Sequence, residues 1–232
     1  MQQAVEQSLS TLMREQVGVV GCGRTDTGVH ASDYYAHFDS DNVLPDQLVF
    51  KLNSMLPTGI EIYDIFEVPQ SFHARFSATA RTYRYRVSKR RQPFKQGIYS
   101  RIYYAPDLEL LNRGAAILME YEDFTSFAKL HTQVKTNICH LSEAFWVEEV
   151  DGWVFTITAN RFLRNMVRSV VGTLLDVGRG ALSLDGLRSI VEQKSRCAAG
   201  TSMPAQGLCL THVAYPWHDI IGHDYTPFAY DM

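Results

Sequence analysis

The feature that most constrains this chain is the order in which its hydrophobic period changes. A stripe of Ala4, Val5, Leu9, Leu12 and Met13 predicts a helix near 2–16, and the apolar run VGVVGCG predicts a strand near 17–23. An alternating strand near 33–39, a helix near 45–55 after Pro45 and a strand IEIYDIFEV near 60–68 follow. Pro69 and Gln70 interrupt the pattern. The second half then supplies a strand ARTYRYRVS near 80–88 and a helix near 107–120. The hairpin of HLSEAFWVEEV and WVFTITAN is joined at Asp151-Gly152, a pair suited to a type I′ turn. A helix near 161–177 is expected to stop at Gly178 through a left-handed conformation, a short helix covers 184–193, and a last strand GLCLTHVAY lies near 207–215.

The order is therefore α-β-β-α-β followed by β-α-β-β-α-β. The second pattern is the ferredoxin-like unit, and the first is the same unit without its opening strand. The expected class is α+β, with two ferredoxin-like βαββαβ units sharing a sheet around a central cleft. The divisions are an N-terminal half over 1–70, a C-terminal half over 71–216 and a tail over 217–232. Met1 lies directly before a helix where a strand is expected, so the chain is expected to begin late and to expose an unpaired sheet edge.

Charge narrows the partners. The net charge of −3 argues at first against a polyanion, but Phe72–Arg101 holds nine Lys or Arg and no acid. These are Arg75, Arg81, Arg84, Arg86, Lys89, Arg90, Arg91, Lys95 and Arg101, leaving 13 basic against 25 acidic residues elsewhere, a balance of −12. A second acid-free stretch, Trp153–Leu175, adds Arg161, Arg164 and Arg168. Such basic faces on an acidic body would draw a phosphate backbone to one side. The first residues, MQQAVEQSLSTLMREQ, read as an amphipathic helix rather than an export signal, and no apolar run is long enough for a membrane span, so a cytoplasmic protein is expected. Cys22, Cys139, Cys197 and Cys209 are far apart and read as free thiols, while His30, His37, His73, His131 and His140 have no partner at metal-ligand spacing, so no metal is expected.

The strand VGVVGCG runs into Arg24-Thr25-Asp26-Thr27-Gly28-Val29-His30, which puts a guanidinium and a carboxylate two residues apart on a loop leaving a sheet. Taken alone, this is also a plain turn in which Asp26 bonds nearby amides and Gly28 supplies a positive φ. GRTDTGVHA closely resembles the signature loop of the TruA-type tRNA pseudouridine synthases. FHARFSATARTYRYR (72–86), NRFLRNMVR (160–168) and PAQGLCLTHVAYP (204–216) are similar to the later motifs of that family, in order, and together cover nearly the whole chain up to Pro216. The family's opening Y-D-G and G-W-Q type signatures are absent, Thr27 stands where alanine is frequent, and the tail from Trp217 has no recognised counterpart.

The resemblance implies isomerisation of uridine to pseudouridine in the anticodon stem-loop of tRNA, at positions 38, 39 and 40. It also implies a homodimer and no cofactor. It makes Asp26 the nucleophile, at either C1′ of the ribose or C6 of the uracil, and Arg168 the cation that offsets the carboxylate's desolvation. Tyr83 would stack on the target uracil and help remove the C5 proton, and Arg24 would enter the space left by the extruded base. By the residues alone, Tyr83 and Tyr85 are equally two core aromatics sharing a strand face with Val87. On a helical wheel Arg161, Arg164 and Arg168 form a solvated face opposite Phe162, Met166, Val170 and Leu174. The rival is a non-catalytic RNA-binding protein built of paired ferredoxin-like units. A phosphoryl-transfer enzyme is disfavoured by the lack of a G-x-x-x-x-G-K-[ST] loop and of H-R-D or D-F-G sets.

Overall fold

A computed structural model of the chain describes residues 1–95, 97–129 and 135–225. His131 and the tail beyond 225 lie outside the described residues. The chain groups into two compact units. One comprises Met1–Arg24, Asp33–Thr79 and the chain from Tyr215. The other comprises Thr25–Ser32 and Ala80–Ala214.

In the first unit, α1 (Gln2–Met13) and α2 (Leu48–Met55) pack through Leu9, Met13, Leu48, Leu52 and Leu56, with Val17 and Val19 completing the core. Helix α1 ends three residues before the sequence reading because Arg14 turns left-handed, at φ 56. The strands are shorter than expected: β1 (Val20–Gly21) pairs antiparallel with β3 (Ala36–His37) over two residues each. The strand expected near 60–68 is not formed. Apolar alternation selects a face, but a strand needs a neighbouring ladder to satisfy its amides. Here the side chain of Asn53 serves Ile62 from both sides: its amide donates to the Ile62 carbonyl and its oxygen accepts from the Ile62 N–H, both at 2.8 Å.

The second unit holds β2 (His30–Ala31), β4 (Ala80–Ser88), β5 (Ser100–Arg101), β6 (Leu141–Glu149), β7 (Gly152–Ala159) and β8 (Leu208–Ala214). Their sheet order is β2-β8-β4-β7-β6, with β5 parallel to β4. Each neighbouring pair among the four long strands is antiparallel, and β2 runs parallel to β8. The fold is therefore mixed α/β with a mixed sheet. Helices α3 (Leu108–Leu118), α4 (Met166–Gly178) and α5 (Leu184–Glu192) contribute Leu111, Leu118, Met166, Val170, Leu174 and Leu187, all fully buried, to a core shared with Tyr85, Phe155 and Ile157 from the sheet. Asp107 and Ser183 cap α3 and α5, each accepting from a backbone N–H three residues on, at 3.0 Å.

Three local expectations are corrected. The β6–β7 hairpin turns through Val150 and Asp151, one residue earlier than expected and neither with a positive φ, so it is not type I′. Gly178 is the last helical residue of α4, and Gly180 is the left-handed one, at φ 73. A side chain at Gly178 would press on Leu111, which explains a glycine there. Finally, α4 begins at Met166 rather than near 161, because Asn165 is left-handed at φ 67. Arg161 and Arg164 therefore precede the helix and share no helical face with Arg168.

Candidate active site

The loop bearing Asp26 is fixed from its far end. After Gly28, whose φ of 86 suits glycine, Val29 inserts into the core and its N–H donates to the Asp26 carbonyl at 3.1 Å. His30 and Ala31 then pair with Cys209 and Leu210 of β8, and the Ser32 N–H donates to the Leu210 carbonyl at 2.9 Å. His30 Nε2 lies 2.6 Å from the Gly97 carbonyl oxygen. A carboxylate three residues before a buried valine and a parallel strand has little freedom to wander.

Two guanidiniums meet it. Arg168 Nη1 donates to Asp26 Oδ2 at 3.0 Å, and Arg164 Nε lies 3.5 Å from Oδ1. The Asp26 side chain is 26% exposed and that of Arg168 21%, so this contact is shielded enough to count, whereas Arg164 is 59% exposed. Arg168 is also held from behind: its Nε donates to the Met203 carbonyl at 2.6 Å. The next carbonyl, Pro204, accepts from the Tyr85 hydroxyl at 2.7 Å. Tyr85 is fully buried, which pushes its phenol up and keeps it a neutral donor. Gly207 lies so close to the Tyr85 ring that a Cβ there would sit 2.7 Å from it. A further strut runs from Asn165 Nδ2 to Ser202 Oγ at 2.6 Å, with Arg196 donating to the same oxygen at 2.9 Å.

Asp26 and Arg168 are thus in contact. Tyr83 is half-buried on β4, opposite Leu210 of β8 and Ile157 of β7, with its ring edge-on to Phe162 at 5.2 Å between centroids. Leu210 also pairs with Ala31, so Tyr83 lies in the row of the strand that anchors the Asp26 loop. Arg24 is exposed and groups with the first unit. Of the basic block, Phe72–Thr79 falls in the first unit, and Arg86 is a buried strand residue rather than a surface one. Arg90, Arg91, Lys95 and Arg101 line a pocket of about 420 Å³ with Ser88 and Tyr99. Lys95 is paired with Asp151 at 2.5 Å.

Sequence reasoning misses Arg164 as a partner of Asp26, the Met203 carbonyl behind Arg168, and Tyr85 as the support of the neighbouring carbonyl. Arg164 stands in the same motif as Arg168, but the helical wheel sends both to solvent. A backbone carbonyl leaves no mark in a sequence.

The family profile described as tRNA pseudouridine synthase matches residues 121–216. The tRNA pseudouridine synthase A of Parabacteroides distasonis is 52% identical over 218 residues, covering 93% of this chain and 86% of that protein. The chain belongs to the tRNA pseudouridine synthase A family. Proteins of the same name from Bacteroides thetaiotaomicron, 52% identical with 93% and 81% covered, and Clostridium acetobutylicum, 37% identical with 92% and 89% covered, extend the agreement. The chain is accordingly a tRNA pseudouridine synthase, an isomerase. All four stretches that resemble family motifs fall within its 232 residues, and the profile match includes Arg164 and Arg168. Among the described residues no helix is long and apolar enough to cross a membrane.

Proposed function

We propose that Asp26 is the nucleophile of this pseudouridine synthase and that its target is uridine at positions 38, 39 and 40 of the tRNA anticodon stem-loop. The observation that carries this reading is the Asp26–Arg168 pair, a shielded carboxylate on an anchored loop facing an anchored cation. The reaction breaks the N1–C1′ bond of uridine, turns the base and forms a C5–C1′ bond. C5 loses a proton and N1 gains one, so composition is unchanged and no cofactor is consumed. A carboxylate suits the task because it can add to carbon and leave again. Either C1′ or C6 is open to it.

In this reading Arg168 balances the charge of Asp26 in the water-poor site, and Tyr83 presents its ring to the uracil and its hydroxyl to the C5 proton. Arg24 fills the space that the extruded base leaves, while the exposed members of the basic block take phosphates. The protein acts as a homodimer in the cytoplasm. The second half, 71–216, is a ferredoxin-like unit, while the first half, 1–70, keeps only part of that pattern because its strand near 60–68 is not formed, and 217–232 is a tail. For the second half, support comes from the β-α-β-β-α-β order and the alternation of antiparallel neighbours β8-β4-β7-β6.

Asp26→Ala tests the assignment: turnover of a tRNA transcript should vanish while affinity for that tRNA stays near that of the parent protein. Retained turnover would remove Asp26 from its role, and loss of binding alone would make it an RNA-binding residue only.

A further inference from the structure

Asp26 faces two arginines, and they are held in different ways. Arg168 is a built-in partner: it lies in α4, has low exposure, and divides its guanidinium between Oδ2 and the Met203 carbonyl. Arg164 lies outside the helix, ahead of the left-handed Asn165. Its main chain is fixed, since its carbonyl accepts from the Lys129 N–H at 3.0 Å. Its side chain is mostly exposed and reaches Oδ1 through Nε at 3.5 Å, farther and more loosely than Arg168 reaches Oδ2. Among the described residues, Arg164 forms its ion pair with Asp26.

The difference matters because a carboxylate oxygen attacks carbon with a lone pair. Oδ2 directs one toward the anchored Arg168, so Oδ1 is the oxygen that can be freed, and Arg164 stands beside it. An exposed guanidinium readily exchanges a single long approach to a carboxylate for a phosphodiester, which its planar fork matches with two parallel bonds. RNA brings that anion to the site.

We propose that Arg164 is an exchangeable guard: it covers Asp26 Oδ1 in the RNA-free enzyme, and it passes to a phosphodiester of the bound RNA strand, which bares Oδ1 when substrate is in place. The inference rests on the reading of Asp26 as nucleophile. It makes Arg164 a substrate-binding residue, gives the protein a means of keeping its carboxylate covered without RNA, and separates the roles of two arginines four residues apart in one motif.

The test compares Arg164→Gln, Arg164→Lys, Arg168→Ala and Asp26→Asn in the full chain, using a tRNA transcript for equilibrium binding over a salt series and for steady-state and single-turnover kinetics. For Arg164→Gln we expect binding about tenfold weaker at moderate salt and a slope of log affinity against log salt smaller by about one, the mark of one phosphate left unneutralised. The loss in kcat/KM should be carried by KM, and Arg164→Lys should recover part of the affinity. Arg168→Ala should instead lose the single-turnover rate at saturating tRNA. Unchanged affinity and salt slope in Arg164→Gln would overturn the proposal. So would a fall in its saturated single-turnover rate as deep as that of Arg168→Ala, which would make Arg164 part of the charge-balancing machinery. Full turnover by Asp26→Asn would defeat the nucleophile reading separately, leaving the salt slope of Arg164→Gln to report on phosphate binding alone.

Discussion

At the scale of single residues, the contrast between Tyr83 and Tyr85 shows how one strand face serves two ends. Both project to the same side of β4, yet Tyr85 is fully buried and spends its hydroxyl on the Pro204 carbonyl, while Tyr83 is half-exposed beside Phe162. If Tyr83 assists proton removal at C5, Tyr83→Phe keeps the ring and should lower turnover by roughly a hundredfold or more, the scale set by losing a general base, with little change in tRNA affinity. Turnover at the parent rate would take that role away. His37 gives a second prediction at this scale. Its Nδ1 accepts the Ala74 N–H at 3.1 Å, and burial, followed by the neighbouring His73, holds its pKa below the ordinary 6.5. The folded state thus binds the proton less readily than the unfolded chain. Its contribution to stability is complete above about pH 6.5 and is lost as pH falls from there through the folded value. Melting temperatures measured between pH 8 and pH 5 should drop more steeply for the parent than for His37→Gln, and parallel curves would count against that hydrogen bond.

At the scale of elements, α4 and the segment 199–204 act together to hold Arg168. Gly172 packs so closely on that segment that a Cβ would collide with the Thr201 carbonyl oxygen. Gly172→Ala should therefore push the segment away, shift the Met203 carbonyl that receives Arg168 Nε, and cost both stability, by about 1–3 kcal/mol as overpacking does, and turnover. A variant with unaltered melting temperature and turnover would show that the segment yields freely. The same elements show what can be read in advance. Residues 80–88 form the expected strand, and 184–192 the expected helix to within a residue, because each carries its own period and the helix also its Ser183 cap. The strand near 60–68 is legible only as an apolar alternation, since pairing depends on a neighbour distant in sequence. The start of α4 is hidden because nothing in the composition of NRFLRNMVR announces that Asn165 turns left-handed. That one φ angle moves Arg164 from a solvated helical face to the side of Asp26. Motif resemblance anticipates the meeting of Asp26 with Arg168, whereas periodicity alone sends Arg168 to solvent.

At the scale of the whole molecule, an acidic chain must bind a polyanion through the part of its surface that is basic. Arg90, Arg91 and Arg101 line one pocket and can meet phosphate in a way that buried Arg86 cannot. Affinity for tRNA should fall as salt rises, and Arg90→Gln with Arg91→Gln should flatten that dependence by about one unit of slope for each phosphate no longer neutralised, with little effect on which uridine is modified. An unchanged slope would place the RNA elsewhere. Binding alone, however, would suit a non-catalytic RNA-binding protein equally well, and the account turns on chemistry at one carboxylate. The measurement that tests it most directly is release of tritium from tRNA labelled at uridine C5, with Asp26→Asn beside the parent chain. The account predicts release by the parent and none above background by a variant that keeps the shape of the side chain but not its charge. Release by Asp26→Asn at the parent rate would contradict it.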